Sequence, residues 1–127
     1  MIEKCVIDIS KYQPVVDFAK VKESGVLGVI AKATQGTSGK DPKFAAHIKG
    51  AREAGLLIGA YHFATGGDAT LQADFFLDVA KGVDLLDLDF EDNPRGFTEG
   101  SDNHTRWPSD WTATMLAFLR QYHGHRK

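Results

Sequence analysis

The chain has 127 residues, of which 43% are hydrophobic and 25% charged, with a net charge of -2. One domain of ordinary globular composition fits these figures, and they exclude a disordered chain. They also exclude a strongly basic nucleic-acid binder, and no apolar run approaches the roughly 20 residues of a membrane span, so neither nucleic acid nor membrane is expected as a partner.

The N-terminus, Met1 to Lys4, runs straight into a strand-like segment. No secretory signal is expected, and synthesis is expected in the cytoplasm. The single cysteine, Cys5, excludes an internal disulfide framework. Its place early in the strand Cys5–Ile9 suits a small buried hydrophobe. Asp17 then reads as the cap of a helix ending at Gly25. A second strand spans Val26–Lys32. Asp41-Pro42 reads as N-cap and first helical residue of a helix stopping near Gly55, with Gly50 either weakening it or permitting close packing. A third strand covers Leu56–Phe63, and a helix follows from Asp68 to Lys81. The fourth strand is Leu85–Glu91. A Gly-, Pro-, Asn- and Ser-rich stretch then leads to a fourth helix after Pro108, with Trp111, Met115, Phe118 and Tyr122 on one core-facing stripe. The strands are near-continuous apolar runs, as in parallel strands buried on both faces. The expected fold class is α/β: a partial TIM-like (β/α) barrel of four βα units with parallel strands.

Each strand is apolar at its start and polar at its C-terminal end. The first ends in Asp8, Ser10 and Lys11, the second in Lys32, Thr34 and Gln35, the third in Tyr61 and His62, and the fourth in Asp89 and Glu91. Ligands of parallel α/β folds bind beyond these ends, so the four strands define one convergent site. Alternation along a strand puts Asp87, Asp89 and Glu91 on one face, with neighbours about 7 Å apart at Cα. Three chemistries suit that spacing. A carboxyl pair can perform acid catalysis on a glycosidic bond, a cluster of oxygens can hold a hard cation, or the strand can simply end in a solvated acidic loop.

The segments Ile7-Asp8-Ile9-Ser10-Lys11-Tyr12-Gln13, Val29-Ile30-Ala31-Lys32-Ala33-Thr34-Gln35-Gly36, Ala54 through Phe63, and Leu88-Asp89-Phe90-Glu91-Asp92-Asn93 together resemble the lysozymes of glycoside hydrolase family 25. The resemblance implies hydrolysis of the β-1,4 bond between N-acetylmuramic acid and N-acetylglucosamine in bacterial peptidoglycan, in the manner of a phage endolysin acting on the cell wall. It implies Glu91 as general acid and base. Asp89 would stabilise the reaction centre, either by orienting the substrate N-acetyl group or by acting directly. Asp8 would be a supporting carboxylate, and Tyr61 and His62 would line the sugar site. No metal and no cofactor are implied. Gln35 is a further candidate for substrate binding, and Trp107 could stack on a sugar ring. Lys32 reads as the partner of a structural ion pair. The tail histidines His123 and His125 are too few for a metal site.

The whole chain is expected to form one catalytic domain, shortened at its C-terminus. The family's barrel has five βα units closed by three further strands, and its last strand supplies an acidic residue that nothing here matches. Asp87 also stands where an apolar residue is expected. Four open strands would expose sheet edges and barrel interior, so a homo-oligomer covering them is expected. Two other function classes remain open: a non-catalytic wall-binding remnant of the same fold, and a metal-dependent phosphohydrolase built on Asp87 and Asp89.

Overall fold

The computed structural model describes residues 5–65, 68–89 and 120. The elements run β1 (Val6–Ile9), α1 (Phe18–Glu23), β2 (Gly28–Gln35), β3 (Gly39–Lys40), α2 (Phe44–Glu53), β4 (Leu57–Phe63), α3 (Ala69–Val79) and β5 (Leu85–Asp89). Of the fourth helix of the sequence reading only Arg120, which is helical, is described, and Trp107 and Glu91 lie outside the described residues. Among the described residues no helix is long and apolar enough to cross a membrane.

The parallel strands pair in the order β1-β2-β4-β5, which is also their order along the chain. Sequential order with crossovers of one hand puts every helix on the same side of the sheet, as in a barrel and unlike a doubly wound sheet. The core confirms this. Ile9, Val29, Ala31 and Ile58 pack beneath α1 and α2 with Phe18 and Ala51, while Ala33 and Ala60 pack beneath α3 with Ala73, Phe76 and Leu77. Alanine at so many contact points lets the helices lie close to the sheet. The opposite, open face carries the alternate residues: Asp8 on β1, Ile30 and Lys32 on β2, Gly59, Tyr61 and Phe63 on β4, and Asp87 and Asp89 on β5.

The Asp17 cap matches the sequence reading, and Asp68, read there as the start of a helix, also serves as a cap. Asp17 accepts from the Lys20 amide and Asp68 from the Leu71 amide. Asp41 does not cap α2, which starts at Phe44 after an N-cap Lys43 with no side-chain cap. The Asp41 carboxylate is engaged elsewhere, accepting from the amides of Lys11 at 3.0 Å and Lys43 at 2.9 Å. It therefore ties the loop after β1 to the approach of α2. β2 also runs three residues beyond its expected end. It continues into a hairpin with β3 that pairs Thr34 with Lys40 and Gln35 with Gly39.

His62 was expected to line the sugar site, and its position corrects this. It points into the helix layer, fully buried against Phe76. Neighbouring residues on a strand face opposite ways, so with Tyr61 on the open face His62 must turn inward. Thr34 Oγ1 lies 2.7 Å from its Nδ1, and Gln72 Oε1 lies 2.9 Å from its Nε2. The Thr65 amide, an unambiguous donor, fixes that Gln72 atom as oxygen. Nε2 must then donate and Nδ1 must accept from Thr34, which is the neutral tautomer.

Gly50 answers the question its position raised. A Cβ there would stand 2.5 Å from the Phe18 ring, so glycine is what lets α1 seat on α2. Alanine gains up to about 1 kcal/mol in helix propensity, whereas overpacking a core contact costs about 1–3 kcal/mol. Gly50→Ala is expected to lower stability by about 1–2 kcal/mol in urea unfolding; an unchanged or raised midpoint would show that Phe18 yields freely.

Burial, the largest cause, together with the Lys32 charge pulls the His62 pKa down to about 4, although the Gln72 hydrogen bond opposes the shift. The unfolded imidazole titrates near 6.5, so between these values the unfolded chain binds the extra proton. Stability from this group is complete above pH 6.5 and is lost as pH falls toward 4, by roughly 3 kcal/mol. NMR titration should show His62 neutral down to about pH 4. A midpoint near the ordinary histidine value would contradict the burial account.

Candidate active site

The polar groups converge around Tyr61, in the middle of the open face. Its hydroxyl is hydrogen-bonded with Ser10, and its pKa is pushed up to about 12. Burial is the largest cause, followed by the negative charges of Asp8, Asp89 and Asp41. Two candidate catalytic residues, from the outer strands β1 and β5, thus act on one phenol carried by β4. Tyr61 keeps its proton throughout the physiological range, so it is a hydrogen-bond donor here and not a base.

The loop leaving β1 is held in place from several sides. The Gln13 amide donates to Ser10 O, Ser10 N donates to Gln13 Oε1, and Tyr12 N donates to Ser10 Oγ. From α2, the buried His47 Nε2 donates to Gln13 O at 2.9 Å. Asp41 holds the Lys11 amide, as above. Ser10, one of the polar strand ends, is therefore part of the site, and so is Asp41, which the sequence did not mark as a site residue. Asp41 looked like a helix cap, and Ser10 only like a polar strand end.

The other candidates are placed as follows. Asp8 and Asp87 are exposed, and Asp89 is half-buried. Asp87 stands in register with Tyr61, and Asp89 with Phe63, so both aspartates share the open face. Gln35 is brought to the same face and accepts from Lys32 Nζ at 2.7 Å. Lys32 Nζ also sits 5.1 Å over the Phe63 ring. Cys5 is half-buried at the edge of the α1–α2 core. Glu91 and Trp107 lie outside the described residues. Among the described residues no group of three or more His, Cys, Asp or Glu side chains is arranged to hold a metal ion. A cleft of about 450 Å³ borders the site at the β2–β3 hairpin, lined in part by Lys32 and Gln35. A larger one, of about 690 Å³, lies along α2 on the helical side of the sheet.

Comparison with known proteins identifies the fold and its family. The structure superposes on a family GH25 lysozyme from Aspergillus fumigatus with a TM-score of 0.78 at 37% identity, covering 93% of this chain and 58% of that one. By sequence, it is 35% identical to an N,O-diacetylmuramidase of Chalaropsis sp over 91% of this chain and 56% of that protein. It is 38% identical to lysozyme M1 of Streptomyces globisporus over 71% of this chain and 33% of that protein. The chain thus spans between a third and three-fifths of the length of these relatives. The model of the glycosyl hydrolases family 25 matches residues 7–127, and the chain belongs to that family.

Proposed function

We propose that the chain is a muramidase that cleaves the β-1,4 bond between N-acetylmuramic acid and N-acetylglucosamine in bacterial peptidoglycan, acting on the cell wall as phage endolysins do. The observation that carries this is that Asp8, Tyr61 and Asp89 stand on one face of the sheet at the C-terminal ends of parallel strands. Family membership supports the same reading. In it, Glu91 protonates the leaving oxygen and then activates water, while Asp89 orients the substrate N-acetyl group or stabilises the developing positive charge directly. Asp8 supports the carboxylate pair, and Tyr61 donates a hydrogen bond to the sugar. Gln35 offers its amide from the next strand. His62 acts from beneath, as a positioning residue for β4.

Removing a general acid typically costs about 10²–10⁴-fold in rate. Glu91→Gln is therefore expected to abolish most of the turbidity loss of purified peptidoglycan and the accompanying release of reducing ends. Equal rates in both proteins would eliminate this mechanism, and sensitivity to a chelator would favour the phosphohydrolase. Retained binding by an inactive wild type would leave a wall-binding remnant.

We also propose that a second copy covers the lower part of the open face. Val6, Leu57 and Leu85 are each at least half exposed there, at the strand ends away from the carboxylates. Light scattering should give twice the 13.9 kDa of one chain, and a monomer would count against it.

A further inference from the structure

The hairpin of β2 and β3 forms one wall of the 450 Å³ cleft. Lys11, Lys32 and Lys40 line it, together with the hydroxyl residues Thr37 and Ser38 of the turn. Among the described residues of the lining, these three lysines stand beside one acidic residue, Asp41. The Asp41 carboxylate is already committed to the Lys11 and Lys43 amides, one oxygen to each. The cleft is therefore cationic, although it adjoins a site built from carboxylates.

The cleft is also preformed. Gly36 N donates to Phe63 O at 3.2 Å and Asp41 N to Ala33 O at 2.9 Å, which pins both ends of the hairpin turn. On the facing rim, Thr65 is held through its amide and its carbonyl by Gln72. Charged groups fixed in advance lose little freedom when a ligand arrives. Gly36 adopts φ +61°, a conformation that favours glycine, and a Cβ there would come within 3.2 Å of Thr65 Oγ1. The turn and the opposite rim are thus in close contact.

A neutral N-acetylated sugar gains no net Coulomb attraction from these lysines. An anion does, and the anion must come from near the sugar site, because Lys32 belongs to both places. It lines the cleft and is the register partner of Tyr61 on the neighbouring strand, about 5 Å away at Cα. In peptidoglycan the muramic acid ring carries a peptide with free carboxylates, the anionic group attached to the glycan itself. We propose that this cleft is a subsite for a carboxylate of that peptide, held by Lys11 and Lys40 with the turn hydroxyls. The assignment rests on the peptidoglycan reading given above.

The test is calorimetric titration of the full chain with a disaccharide-peptide from peptidoglycan, in its free-acid form and with the peptide carboxylates amidated. The free acid should bind roughly tenfold more tightly, the worth of about one charge-assisted hydrogen bond. That preference should weaken with salt and vanish in the double variant Lys11→Gln/Lys40→Gln. Equal affinity for the two forms in the wild type, or a preference that survives the double substitution, overturns the subsite and leaves the muramidase reading intact. Binding of neither form overturns the peptidoglycan reading together with the subsite. If poly(glycerol phosphate) alone binds, and does so through Lys11 and Lys40, the cleft is a phosphate site and the carboxylate assignment is wrong.

Discussion

An extra residue in β2 decides which side chains reach the open face. Lys32 pairs with Tyr61 and Thr34 with His62, although Tyr61 and His62 are consecutive and Lys32 and Thr34 are not. Ala33 is the surplus residue of a β-bulge, and both Ala33 and Thr34 turn into the helix layer. Gln35 then returns to the open face beside Phe63. With regular alternation Thr34 would leave His62, and Gln35 would be buried beneath α3. The bulge thus completes the buried network and delivers Gln35 to the mouth of the site. Directly beyond it, the strand enters the hairpin that walls the cationic cleft.

The open face has a gradient along its strands. At the N-terminal ends it is apolar, with Val6, Leu57 and Leu85, and at the C-terminal ends it carries Asp8, Asp87 and Asp89. Tyr61 sits where the two regimes meet, and its half-buried position explains why desolvation outweighs the carboxylates in holding its proton. A phenol that remains protonated is a dependable donor to a sugar hydroxyl or acetamido group.

Much of this was legible in the sequence, for a definable reason. The runs Ile7–Gln13, Val29–Gly36 and Leu57–Phe63 each join an apolar strand to a polar end, and parallel topology turns that repeated pattern into one site. Asp87 and Asp89 could be placed on one face from period-two alternation, whereas Asp8 and Tyr61 join that face only through the strand register. His62 could not be placed by its chemistry, because a histidine beside a tyrosine looks functional until alternation is applied strictly. Gln35 was a candidate from its place at a polar strand end, but strict alternation would have buried it, since the bulge at Ala33 leaves no local signal in an Ala-Lys-Ala-Thr run. The hairpin escaped notice because a two-residue strand, Gly39-Lys40, shows no periodicity. Asp41 ranked as a helix cap because its actual partner, the Lys11 amide, is 30 residues away in sequence.

Lys32 links the parts. It donates to Gln35, lies over the Phe63 ring, lines the cleft, and stands opposite Tyr61 in the register. Its charge is also felt through the sheet by His62, where it adds to the larger effect of burial in keeping the imidazole neutral. A neutral His62 is what allows Nδ1 to accept from Thr34, and Thr34 is the residue that locks the bulge. Protonation of His62 would turn that acceptor into a second donor and remove the lock. The lysine that faces the ligand side therefore helps maintain the strand irregularity that put Gln35 there. The polar face of the site and the buried network behind it form one electrostatic unit, held on two sides of a single sheet.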